Sequence, residues 1–272
     1  MNDLLRALAP VSDRAWTAIE DEARRSLKTA LAARKLVDFV GPLGWESSAV
    51  SLGRTRPVER APRPGVEARL RRVQPLVELR TPFELSRDEL EALGRGAHDP
   101  DLDAVRLAAH NAALAEDRVV FHGYPEAGIR GINEGGAPGK CTITADYAEY
   151  PSAVAEAINR LRDAGVDGPY AIALGPRCYT GLTKSTTGGF PVIEHVRRLI
   201  DGPIVWAPGV DGATVLSVRG GDFELTVGQD FSIGYLDHTA DKVRLYIEES
   251  FTFLILSKQA AVPLSAAMGK SR

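Results

Sequence analysis

Cysteine is almost absent: Cys141 and Cys178 are the only two in 272 residues. Two thiols exclude a disulfide scaffold and a four-thiolate zinc site; they read as buried free thiols, with one bridge between them as the alternative. The five histidines, at 98, 110, 122, 195 and 238, are scattered without an HxxxH or HExxH pair, so no helical face presents a metal site. No apolar run reaches the roughly 20 residues needed to span a bilayer. The longest near the end runs only from Phe251 to Leu256. The start, Met1-Asn-Asp-Leu-Leu-Arg6, lacks the apolar core of a secretory signal, and a cytoplasmic location is expected.

Neither sign of charge is in excess. Lys plus Arg total 33 against 36 Asp plus Glu, a formal charge of -3 with a pI near 6.0. That excludes a global polycation built to grip nucleic acid and leaves room for a local basic patch. Hydrophobic residues at 44% and charged residues at 25% fit a globular protein, and the length allows one large domain or two ordinary ones.

Catalytic motifs are missing as well. Gly135 to Cys141 resembles a phosphate-binding loop, but its spacing is wrong and Cys141 stands where a magnesium-binding hydroxyl belongs. Gly181-Leu-Thr-Lys184-Ser185 separates the glycine from its lysine, and neither a strand-associated GxGxxG nor a GxSxG elbow occurs. Glu116-Asp117 reads as a solvated or salt-bridged pair on a helix, and Cys178 has no nucleophile motif. No credible active site for a monomeric enzyme remains.

What is present is a set of well-marked elements. Ser12 caps an amphipathic helix expected over 12–37, with Trp16, Ile19, Ala23, Leu27 and Leu31 on one face. Residues 46–76 hold Pro57, Pro62, Pro64 and Pro75 and arginines at 54, 56, 60, 63, 69, 71 and 72. Alternation over Val66–Leu70 and a turn at Pro62–Gly65 predict a two-armed ribbon. A lone ribbon is marginal in water, so this one is either a disordered loop or an arm reaching a neighbouring subunit.

Further on, Ser86-Arg-Asp-Glu89 predicts a capping box. Asp99-Pro100 opens a longer helix with the stripe Val105, Ala108, Ala112, Ala115, Val119, whose small residues suit close packing. After the glycine-rich stretch 123–139 the pattern turns α/β. A helix runs from Pro151 to Gly165, a strand over Tyr170–Leu174, a helical piece around Cys178, a polar loop over Thr183–Gly189 and a helix over Pro191–Ile200. Strands follow at Ile204–Trp206, Thr214–Arg219 and Phe223–Val227, and Val243–Leu256 reads as one long, largely buried strand. An arm that needs a partner, an inserted α/β unit and a long closing strand describe a subunit that assembles.

These residues resemble the family 1 encapsulins, nanocompartment shell proteins. The similarity runs from Leu8-Ala-Pro10 to Phe253. It is carried by Ala33-Arg34-Lys35, Gly41-Pro42-Leu-Gly-Trp45-Glu46, Pro75-Leu-Val-Glu-Leu-Arg80, Phe121-His-Gly123 and Arg219-Gly-Gly-Asp222, and above all by Gly228-Gln-Asp230-Phe-Ser-Ile-Gly-Tyr235 and Glu249-Ser-Phe-Thr-Phe253. The resemblance implies an α+β fold of the tailed-phage major capsid type. Its peripheral domain would take 1–45, 77–130 and 222–257, its extended inter-subunit loop 46–76 and its axial domain 131–221, with 258–272 as a flexible tail.

It further implies a structural role: self-assembly into an icosahedral shell around a cargo enzyme, a dye-decolourising peroxidase or a ferritin-like iron oxidase, held by the cargo's C-terminal targeting peptide. A prophage capsid protein is the alternative, and a bacteriocin- or protease-type enzyme a weaker one. The peptide is expected on Leu27, Leu31, Arg34, Asp38 and Phe39 with Phe231, Ile233 and Tyr235. Leu27 and Leu31 are one helical turn apart, and the last three share one strand face. Arg34 and Asp38 would anchor the peptide backbone, while the bland reading makes the aliphatic members plain core. The five-fold pore would be lined by Thr183, Lys184, Ser185, Thr186, Thr187, Gly188 and Gly189, and Arg54, Arg56, Arg69 and Arg71 would lie on the inter-subunit arm. Some relatives bind flavin through a tryptophan just after the strand matching Phe83-Glu-Leu85. Arg87-Asp88 stand here instead, so no cofactor is expected, nor a metal, a membrane or a specific nucleic-acid partner.

Overall fold

The computed structural model describes residues 4–134, 139–144 and 146–266. Part of the phosphate-loop-like segment (135–138) and the chain ends, 1–3 and 267–272, lie outside the described residues.

Helix α1 spans Asp13–Ala30 and is capped as expected, with Ser12 Oγ accepting from the amide of Ala15 at 3.3 Å. It stops well short of residue 37. The buried carboxylate of Asp117 accepts the amides of Ala32 (3.0 Å) and Ala33 (2.8 Å). The chain accordingly turns extended at Leu31, makes one 3-10 turn over Ala33–Lys35, and enters strand β1 (Asp38–Val40). Strands β2 (Ala49–Pro57) and β3 (Arg69–Pro75) form the expected ribbon, with pairs running from Ala49 with Pro75 to Pro57 with Arg69.

Strand β4 (Val77–Ser86) leads into α2 (Arg87–Arg95). The capping box does not form, because the Ser86 side chain makes no capping bond and Glu89 Oε2 instead accepts the amide of Asp101 at 3.0 Å. Helix α3 (Asp103–His122) therefore starts at Asp103, whose amide donates to Asp101 Oδ1.

The inserted unit contains β5 (Cys141–Ile143), α4 (Tyr150–Asp163), β6 (Tyr170–Leu174), α5 (Pro176–Lys184), β7 (Thr186–Thr187), β8 (Phe190–Pro191), α6 (Val192–Arg197), β9 (Ile204–Trp206) and β10 (Ala213–Ser217). The chain then returns through β11 (Phe223–Val227), β12 (Ser232–His238) and the long β13 (Lys242–Ile255), and ends in β14 (Ala261–Ala266).

β13 organises the first sheet. β4 lies along one edge, from Lys242 opposite Ser86 to Phe251 opposite Val77. β12 and then β11 follow one another along the other edge, and β1 adds parallel to β11. Trp16 and Ile19 of α1 and Val105 and Ala109 of α3 pack on Phe83, Ile233, Leu245 and Ile247 of this sheet.

The second sheet has the order β5-β14-β10-β6-β9. Of the segment 258–272, expected as a flexible tail, residues 261–266 are instead strand β14, which lies between β10 and β5 with Ala261, Val262 and Leu264 buried, while 267–272 lie outside the described residues. The apolar stretch from Ala260 to Leu264 explains this, because it closes the core under α4. Helix α3 joins the two units: Val105 to Ala112 serve the first core, while Val119, Val120 and Phe121 serve the second. Both cysteines are free and buried. Among the described residues no helix is long and apolar enough to cross a membrane, and no cluster of His, Cys, Asp or Glu is arranged to hold a metal.

Candidate functional site

A groove of about 550 Å³ runs between α1 and β12. Its floor is apolar. Ala23 and Leu27 lie one turn apart on α1 and Leu31 caps its end, and Phe231, Ile233 and Ile247 face them. Gly234 lets β12 lie flat here, because any Cβ at that position would sit 2.2 Å from the Tyr246 ring on the sheet's other face. The rim is polar and mainly basic: Arg6, Arg24, Lys28 and Arg34 against Glu20 and Asp230. Arg6 is held to Glu20 at 2.5 Å and lies over the Trp16 ring, while Arg24 and Lys28 point to solvent.

Arg34 closes one end and is fixed from behind. Its guanidinium, 18% exposed, donates through Nε and Nη2 to Glu116 (2.8 and 2.6 Å), through Nη2 to Glu249 (2.9 Å) and through Nη1 to Asp230 (2.8 Å). The rings of Phe39 and Phe231 lie 5.1 and 4.8 Å from its centre. Burial works against this charge, but the surrounding carboxylates overcome it and hold the arginine above its ordinary pKa.

The carboxyls behind it are strained electrostatically. Burial, then repulsion from Glu116, pushes Glu249 well above the usual carboxylate range despite Arg34. Asp117 is pushed up to about 7, by burial first and by Glu116 next, against the stabilising amides of Ala33 and Ala32. The pair Glu116-Asp117 is therefore not solvated: both are fully buried, one on Arg34 and the other on backbone amides.

Of the eight residues expected to hold a peptide, the structure brings together Leu27, Leu31, Arg34, Phe231 and Ile233. The other three lie off the groove. Asp38 turns away, its Oδ2 accepting the amide of Gly221 at 2.6 Å. Phe39 is packed on Arg34 and 39% exposed without lining the groove. Tyr235 pairs its hydroxyl with His238 Nδ1, and its amide donates to the carbonyl of Leu4. Nor is Arg34 a free anchor, because its fork is spent on three carboxylates. Sequence reasoning missed Arg24 and Lys28, which the helical spacing from Leu27 and Leu31 could have supplied, and Leu4 and Arg6, for which no local signal existed.

The polar loop is a small hairpin. Thr183 and Lys184 end α5, Ser185 takes the amide of Val192 on its carbonyl, and Thr186 and Thr187 form β7. Gly188 and Gly189 turn it with φ of +60° and +83°, a conformation other residues resist. Arg54, Arg56, Arg69 and Arg71 are all exposed on the ribbon, and Arg69 Nε donates to Thr55 Oγ1 at 3.1 Å.

Comparison with known proteins agrees with this architecture. A family described as "Encapsulating protein for peroxidase" matches residues 1–252. The chain is 57% identical over 270 residues to the type 1 encapsulin shell protein of Rhodospirillum rubrum, covering 97% of this chain and 96% of that one. It is 46% identical over 265 residues to that of Mycobacterium tuberculosis, covering 97% and 100%. In structure it resembles the virus-like particle from Pyrococcus furiosus, with a TM-score of 0.62, 18% identity, and 93% and 98% of the two chains covered. A Gordonia phage Cozz chain follows at a TM-score of 0.55 and 13% identity, covering 86% and 85%, a likeness of fold alone. With a capsid-type fold and close relatives throughout its length, the chain belongs to the type 1 encapsulin shell proteins.

Proposed function

We propose that copies of this chain close into an icosahedral nanocompartment in the cytoplasm, and that the α1–β12 groove holds a C-terminal targeting peptide of the cargo. The observation that carries the reading is the groove itself. It is an apolar trough with the half-buried Leu27 of α1 and the buried Leu31 just past its end, set against a strand and ended by an immobilised guanidinium. Such a trough suits a short extended segment carrying spaced aliphatic side chains. The family description favours a peroxidase as cargo, and a ferritin-like iron oxidase is the second class. The chain itself is structural in this reading, without a cofactor of its own. The hairpin carrying Lys184 would ring the five-fold axis, and the ribbon of β2 and β3 would reach a neighbour.

Two measurements test it. Electron microscopy of the chain expressed alone should show uniform hollow particles; a species near 30 kDa would sink the shell reading. Co-expression with a reporter fused to the targeting peptide should load the particles, and Leu27→Glu should abolish loading while particles still form. Undiminished loading by that variant would remove the groove from the mechanism.

A further inference from the structure

One end of the α1–β12 groove already has an occupant. Residues 4–8 precede α1, cross to β12 and supply Leu4 and Arg6 to the groove lining. The carbonyl of Leu4 accepts the amide of Tyr235 at 2.8 Å. Arg6 is tied to Glu20 at 2.5 Å, and its guanidinium lies 4.1 Å over the Trp16 ring. Ala9 and Val11, just beyond, pack on the first core. The segment is a strap hinged at Ala9, with Leu4 laid on the edge of the sheet.

The seat it covers is backbone. Among the described strands β12 pairs with β13 alone, so its other side is an open edge. The Tyr235 amide points off that pairing to Leu4, and alternation turns the amide and carbonyl of Ile233 to the same edge. An extended peptide lying along the groove can add to the sheet there, but Leu4 holds the Tyr235 position. Tyr235, expected in the site, therefore stands off the groove, and Leu4 lines it at that point.

The strap is weakly held. None of residues 4–8 is fully buried, and Leu5 and Leu8 are 44% and 64% exposed. Leu5 has φ of +51°, a left-handed conformation that side chains resist. The Arg6–Glu20 pair is part-exposed, so water and salt weaken it. A segment that gains little burial, carries backbone strain and covers an open sheet edge is poised to leave.

We propose that residues 4–8 are a displaceable strap: in the empty shell they close the β12 edge of the groove, and the targeting peptide replaces Leu4 at the Tyr235 amide. This rests on the groove reading and adds to it a competing segment of the same chain. Only grooves whose strap is open bind peptide, so closure lowers the apparent affinity in proportion.

Loading of a fluorescent reporter ending in the C-terminal segment of the cargo peroxidase, at limiting reporter, tests this. Deleting residues 2–6 should raise loaded reporter per particle about fivefold. Arg6→Ala keeps the full length and should raise loading in the same direction. Leu5→Gly relieves the left-handed strain, tightens the strap and should lower loading about threefold. A segment that only pads the wall would not respond in opposite directions. Hydrogen exchange at residues 4–8 should quicken when the reporter loads, while the Tyr235 amide stays protected. The proposal is overturned if neither loosening variant raises loading, if Leu5→Gly raises it, or if residues 4–8 exchange more slowly in loaded particles. Wild-type particles that never take up the reporter, or that take it up no better than Leu27→Glu, fail the groove reading itself and overturn the strap with it.

Discussion

The amide of Ala33 donates to Asp117 Oδ1 across 2.8 Å, joining residues 84 positions apart in the chain. That contact ends α1 where it ends, and so decides that Arg34, one residue on, leaves the helix and swings into the groove. Because Asp117 is pushed up to about 7, the folded state binds its proton between the ordinary carboxylate value and that pKa, where the unfolded chain does not. Stability from this group is complete below about pH 4 and is lost as pH rises toward 7. Buried Glu249, raised by burial and by Glu116, acts in the same direction. Asp117→Asn keeps one acceptor and removes the ionisation. Its urea midpoint should fall less than that of the wild type between pH 5 and pH 8, and an equal fall in both proteins would refute the assignment.

Arg34 should prove structural before it proves a ligand. Arg34→Ala leaves Glu116 and Glu249 buried without their cation, which should cost about 3–5 kcal/mol. Arg34→Lys should recover little, because one ammonium cannot reproduce a fork aimed at three carboxylates. Arg34→Met combined with Glu116→Gln and Glu249→Gln should regain much of the loss in chemical denaturation. A single Arg34→Ala variant as stable as the wild type would contradict the network.

Cargo loading should separate residues that line the groove from those that only neighbour it in sequence. Asp38→Ala should leave loading unchanged and cost about 1 kcal/mol, since the Gly221 amide loses its acceptor. Leu31→Asp should abolish loading, because it puts a carboxylate on the apolar floor. Measuring loaded reporter per particle decides between them. Loss of loading with Asp38→Ala would return that residue to the peptide site.

Much of this was legible in the sequence wherever the signal is local and periodic. The face of α1 from Trp16 to Leu31, the small-residue stripe of α3 and the long β13 all follow from spacing. The ribbon's turn at Pro62–Gly65 was legible, but the alternating piece Val66–Leu70 joins strand β3 only from Arg69 onward. What escaped was set by contacts distant in sequence. Asp117 cutting α1 short, Glu89 leaving its cap for Asp101, and Asp38 turning to Gly221 are each a carboxylate choosing a remote amide over a local partner. Spacing can place Leu27, Leu31, Phe231 and Ile233 on faces, but only the folded chain puts those faces opposite each other.

β14 is the sharpest case, because six residues containing Pro263 give almost no strand signal by themselves. The strand survives because β5 joins only from Leu264 onward, leaving Pro263 beside β10 alone. Val262, opposite Val215 and fully buried, should then be as critical as any residue of the inserted unit. Val262→Asp places a carboxylate in that core and should cost more than about 3 kcal/mol, enough to unfold the inserted unit. Val262→Ala should cost only about 1–2 kcal/mol and still yield folded protein. If Val262→Asp expressed as well and melted as high as the wild type, β14 would not be part of this sheet in solution.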